Sequence, residues 1–157
     1  MTAREPSSKD TLPVALFSEI AMVDQLVRAR IAKVLPKGMA LSHFMVLNHL
    51  AGTHAERTPA QLARLFHVTK GAMTNTISRL EMAGYVHVRP DWDDARRKFV
   101  ALSPAGLQAR DQALSTIAPL FDSLVARLGR EDARKVLPVL RALRADLSQD
   151  LEPLPRV

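Results

Sequence analysis

The chain contains no cysteine in its 157 residues, which excludes disulfide staples, cysteinyl zinc or iron–sulfur sites, and thiol-based redox sensing. It also lacks a run of 18 apolar residues and a basic-then-apolar N-terminal pattern, so the expected location is cytoplasmic, with no membrane partner. Enzymatic signatures are missing too: there is no P-loop, no H-E-x-x-H and no nucleophile elbow. The adjacent acids Asp93 and Asp94 lie in a charged loop, so the expectation is a non-enzyme without a cofactor. Metal-capable residues in the N-terminal half include Glu19, Asp24, His43, His49 and His54. His43 and His49 are six apart and do not share a helix face, so no metal site is expected.

What is present fits one domain's length, with 47% apolar residues to build a core and a formal net charge of +6 that favours polyanionic partners. Residues 1–13, with prolines at 6 and 13, read as a mobile leader. The segment 14–40 then carries Leu16, Phe17, Ile20, Val23, Leu26, Val27 and Ile31 at helical spacing until Pro36 and Gly38 stop it.

The middle of the chain, 41–103, carries the most informative pattern. Ser42 is a candidate N-cap for a helix with Phe44, Leu47 and Leu50 inward, ending by Gly52. Thr58, Pro59 and Gln61 supply a capping box with proline at N1, and Leu62 and Leu65 give the short helix that follows a buried edge. After a turn at Phe66 and His67, Thr69 caps a helix with Met73, Ile77 and Leu80 on one side, ending at Gly84. The period then changes to two: Val86 and Val88 on one strand, Val100 and Leu102 on the other, can share an apolar face. Between them PDWDDARRK reads as an exposed loop. The whole is a winged helix-turn-helix, and the fold class is mainly α with a small β-hairpin.

The C-terminal part, 104–157, opens with Ser103 as cap and Pro104 at N1. Its helix is expected to run to about Leu128, through Pro119, and to end at Gly129. A last segment places Val136, Leu140, Leu143, Leu147 and Leu151 at helical spacing, with Pro138 either kinking one helix or starting another. Apolar surface on both terminal segments exceeds what a small winged domain can cover, so they are expected to be dimerisation helices of a homodimer.

Opposite the core side of the Thr69 helix lie Lys70, Gly71, Thr74, Asn75 and Ser78, short groups suited to close approach to a DNA groove. Arg79 and Arg89 are candidate backbone contacts, and Arg96 and Arg97 in the loop are candidate minor-groove or phosphate ligands. Asp94 is expected to bond to Arg96 or the loop backbone and so stiffen the wing. Met22, His43, Val46, Leu47 and Trp92 are the candidates for a small-ligand pocket, with plain core packing as the alternative for Met22, Val46 and Leu47.

In ordered combination, LSHFMVLNHLAG, TPAQLARLFHVTKGAMTNTISRLEMAGYV and RPDWDDARRKFVALSPAG, flanked by long helices, resemble the MarR family of winged helix-turn-helix transcription regulators. The resemblance implies a homodimeric repressor on a pseudopalindromic operator of double-stranded DNA, released by a small aromatic or phenolic ligand. It also implies that the D-x-x-D-x-R pattern, Asp91, Asp94 and Arg96 here, stabilises the wing and brings its arginine to the minor groove. A peroxide-sensing branch of this fold depends on a cysteine that is absent. The competing expectation is a winged-helix protein-interaction module without ligand response.

Overall fold

The computed structural model describes residues 11–150, as α1 (Leu12–Val34), α2 (Leu41–Thr53), α3 (Pro59–Leu65), α4 (Lys70–Met82), β1 (Val86–Pro90), β2 (Lys98–Leu102), α5 (Pro104–Leu128) and α6 (Arg130–Asp150). The chain divides into two compact units, up to Leu114 and from Ser115 on, with the boundary inside α5. No helix among the described residues is long and apolar enough to cross a membrane.

Helix α1 starts at Leu12, two residues before the expected boundary, because Pro13 is tolerated in a first helical turn, where its missing N–H has no partner to lose. Residues 1–10 of the expected leader lie outside the described residues. The helix ends where Leu35, preceding Pro36, turns extended with ψ of 145°. Helix α2 corrects a second expectation. Its N-cap is Ala40, not Ser42, and the imidazole of His43 does the capping by accepting the Ala40 N–H at Nδ1, 3.1 Å away. The helix also continues past Gly52 and is closed by His54 in the left-handed region, φ 49°.

The winged part follows its sequence signals closely. Thr58 Oγ1 accepts from the Gln61 amide at 3.2 Å, and Gln61 Oε1 accepts from the Thr58 amide at 2.9 Å, satisfying two donors that a helix start leaves free. Thr69 Oγ1 caps α4 through the Ala72 amide at 3.1 Å. Val46, Leu47 and Leu50 of α2, Leu62 of α3, Met73, Ile77 and Leu80 of α4, and Val86 and Val100 of the hairpin form one buried cluster. Leu65 is exposed instead of buried; α3 is only two turns long, and Phe66 just beyond it packs on the core in that place.

The strands pair antiparallel with Val86 opposite Leu102 and Val88 opposite Val100, so the alternating valines share the core face. Arg57, just before α3, exchanges both backbone bonds with Val100 (2.8 and 3.1 Å), and this bridge ties the hairpin to the helix pair. The buried Ser103 hydroxyl donates to the Gly84 carbonyl at 2.6 Å and accepts the Gly106 amide at 2.9 Å, joining the end of α4 to the start of α5. A Cβ on Gly106 would lie 1.9 Å from the Tyr85 carbonyl oxygen, so the approach requires glycine.

In the second unit α6 runs unbroken through Pro138, which decides between the two expectations for that segment in favour of one helix. Val136, Leu140 and Leu147 are exposed along it; Leu151 lies outside the described residues.

Candidate nucleic-acid interface

Helix α4 has one buried apolar edge and an outer face that is largely polar up to its last residue, Met82, which is exposed. Met73, Ile77 and Leu80 are buried, while Lys70, Gly71, Thr74, Asn75, Ser78 and Arg79 are all exposed. Apolar burial at spacings of four and three fixes the rotation of the helix, and the face made by Lys70, Thr74, Asn75 and Ser78 follows without a side-chain bond to another described residue. No atom lies within 4 Å of a Cβ placed on Gly71, so the first turn is open to a bulky partner.

The wing is held differently. Asp91 Oδ1 accepts the Asp93 amide and Asp94 Oδ1 the Arg96 amide, each at 3.0 Å, giving two successive side-chain-to-backbone turns. Backbone bonds Asp91 N–H to Arg97 O and Arg97 N–H to Asp94 O, both 2.9 Å, close the loop. Arg97 also lies 3.9 Å from Asp91 and 5.9 Å from the Phe99 ring centroid. Arg96 is exposed, and its guanidinium forms no ion pair with a described residue.

Arg89, a candidate backbone contact, is engaged within the domain itself. Its guanidinium makes a two-pronged pair with Glu56, one prong at 2.9 Å, and stacks 4.9 Å over Phe99. That hydrogen bond holds the Glu56 carboxyl below, and Arg89 above, their ordinary pKa values. The residue thus braces the hairpin against the segment leading into α3. Sequence reasoning missed Glu56, which lies 33 positions from Arg89 and carries no local signal.

A cavity of about 340 Å³ opens beside the end of α4, lined by Lys37, Met39, His43, Arg79, Tyr85 and Gln112, among others. Arg79, exposed on α4 and a candidate DNA-backbone contact, also borders this cavity. Of the five pocket candidates only His43 lines this cavity. Val46 and Leu47 are 1% and 0% exposed and belong to the sealed core, because their helix face is turned toward α4 and the hairpin. Met22 stands in solvent on α1, and Trp92 is 89% exposed at the wing tip. Burial first, and then the nearby Arg79 charge, lower the His43 pKa and favour its neutral form. Because Nδ1 accepts from Ala40, the neutral ring carries its proton on Nε2.

Residues 37–97 match the family model described as the MarR family, and no curated protein matches the chain at a significant level. Among solved structures the chain is similar to the transcriptional regulator BldR from Sulfolobus solfataricus, at 25% identity and a TM-score of 0.74 over 90% of this chain and 99% of that one. It is similar to a mutant MarR from E. coli complexed with operator DNA, at 24% and 0.75 over 87% and 99%. An organohalide-sensing transcriptional regulator in its 2,4-dichlorophenol-bound form shares the fold at 20% identity, with a TM-score of 0.80 over 100% and 97%. The matched segment coincides with the helix-turn-helix and most of the wing, and it is this domain that is similar to the MarR family.

Proposed function

We propose that the chain acts as a homodimeric repressor that binds duplex DNA through α4 and the wing and releases it when a small aromatic or phenolic anion occupies the cavity beside α4. The observation that carries the reading is the division of α4 into a buried apolar edge and a largely polar exposed face, followed after β1 by a stiffened loop with an exposed arginine, Arg96. Asn75 and Thr74 have the chemistry to read base edges, and Lys70 and Arg96 to meet phosphate or minor groove. The E. coli relative was crystallised with operator DNA, which favours the same use of the domain here.

Two copies follow from the terminal helices. Leu12, Val14, Val23 and Leu26 on α1, and Val136, Leu140 and Leu147 on α6, are exposed, a density of apolar surface that a second chain would cover. Release follows from Arg79. It belongs to α4 yet lines the cavity with Lys37 and the Nε2-protonated His43, so an anion bound there draws on the helix that meets DNA. Such a ligand shifts the equilibrium only by its differential affinity for the two forms. The relative bound to 2,4-dichlorophenol makes a phenol the natural first probe.

Selection of duplexes from a random pool, followed by anisotropy titration, tests the reading. Arg96→Ala is expected to weaken binding by about tenfold or more, as loss of a groove contact should, with the dimer intact. An affinity unchanged at physiological salt would refute the role of the wing. Addition of 2,4-dichlorophenol or an aromatic acid should release the duplex from wild type but not from Arg79→Ala.

A further inference from the structure

The wing tip carries a feature that positively charged groove binding does not require. Trp92 is 89% exposed, in a loop otherwise built of Asp91, Asp93, Asp94, Ala95, Arg96 and Arg97. An indole left in water forgoes the burial of about 200 Å² of mostly apolar surface. The placement is also stiffened. Trp92 is the middle residue of the turn closed by the Asp91 carboxylate on the Asp93 amide, and Asp91 is anchored through its own amide to the Arg97 carbonyl. The result is a large apolar side chain presented on a braced apex, four residues from the exposed Arg96.

Charge indicates what kind of contact this apex makes. Asp91 and Asp94 are each engaged by loop amides, and Asp91 also by Arg97, whereas the Asp93 carboxylate has no ion pair with a described residue. A tip bearing Trp92 and Asp93 is a poor phosphate clamp. The Asp93 carboxylate opposes contact with DNA, so attraction falls to Arg96 and Arg97, and what the indole adds is apolar area that the sugar walls of a minor groove can hide.

We propose that Trp92 is an apolar wedge that enters the minor groove beside Arg96 and makes binding depend on how easily the base step beneath it opens. The proposal rests on the reading of this chain as a duplex-binding protein and adds a specificity-determining residue to it. Pyrimidine–purine steps, TA and CA/TG, unstack most easily. Sites bound by the wild-type protein are therefore enriched in those steps where the wing falls, without a hydrogen bond to any base edge.

The chain has a single tryptophan, so its own fluorescence reports on this residue alone. Full-length protein is titrated with a mixed-sequence 30-base-pair duplex at low salt and with pool-selected duplexes. Binding is followed by anisotropy of a dye on the DNA, and Trp92 by emission wavelength and acrylamide quenching. The expected result is a shift of emission to shorter wavelength and a loss of quenching in step with anisotropy on the selected duplexes. Rising anisotropy with unchanged emission and quenching would overturn the wedge and leave DNA binding standing; no rise on either duplex would overturn both. An emission change that follows protein dilution in the absence of DNA would place Trp92 at a protein contact instead and also overturn the proposal.

Substitution supplies an independent readout. Trp92→Ala is expected to lose about tenfold in affinity for selected duplexes, typical of removing a buried aromatic anchor, and to lose the enrichment of flexible steps on reselection. Trp92→Phe should keep most of both. An alanine variant that selects the same step composition as wild type would refute the role.

Discussion

Helix α4 and the wing serve one proposed surface but are held by opposite means. Burial of Met73, Ile77 and Leu80 fixes α4, and Lys70, Thr74, Asn75 and Ser78 on its outer face make no side-chain bond to another described residue. In the wing, carboxylates on amides, the Glu56–Arg89 pair and two guanidiniums near Phe99 set the shape, with little buried beyond Val86 and Val100. Apolar burial is insensitive to salt, whereas exposed charge pairs are screened and weak individually. The contrast implies that orientation of the helix fails only when the domain unfolds, while the wing can loosen by itself.

The sharpest way to break that comparison is Leu80→Ala. A fully buried leucine lost from the cluster should cost roughly 2–5 kcal/mol in denaturant unfolding, taking helix and hairpin together. A loss restricted to α4, seen as separate transitions by two probes, would contradict a shared core. Gly106→Ala comes next. Its methyl would meet the Tyr85 carbonyl, so the joint between α4, β1 and α5 must open, with roughly 1–3 kcal/mol lost; wild-type stability would show that the joint is not tight.

Glu56→Gln should act on the wing alone. The pair it breaks is half exposed, so the unfolding midpoint should stay close to wild type while amide exchange accelerates in residues 89–99 and not in α4. Equal acceleration in both would mean that the brace serves the whole domain. The smallest effect is that of pH. Burial and a nearby arginine, Arg79 for His43 and Arg57 for His49, lower both histidine pKa values from 6.5. Below that value the unfolded chain takes up protons that the folded one resists, so stability is present above pH 6.5 and declines as pH falls through it. His49→Phe, which removes a buried, unpartnered Nε2, should flatten part of that decline; a pH profile identical to wild type would exclude His49 as a source.

Elements with local signals were legible in the sequence. Thr58, Pro59 and Gln61 announce α3, Thr69 announces α4, and the change of period at Val86 announces the hairpin, because caps and alternation act within a few residues. The start of α2 was misread for a physical reason: an alanine has no capping oxygen, and the group that serves, the His43 imidazole, is not part of the usual capping vocabulary. Contacts distant in sequence were not legible at all. Arg89 looks like a surface arginine until Glu56 is found beside it, and the cavity brings together Lys37, Arg79, Tyr85 and Gln112 from separate stretches of the unit. Trp92, a ligand-pocket candidate by its residue type, stands 89% exposed on the wing, which no local pattern announces.

The backbone bridge between Arg57 and Val100 has a mechanical consequence. With β2 laced to the lead-in of α3, and α3 and α4 sharing one core, α4 and the base of the hairpin keep a fixed gauge, and any give is left to the loop beyond it. On the proposed use of this surface, a duplex whose grooves do not match that gauge must itself yield, and pliant DNA is then favoured over stiff DNA even where both offer the same bases.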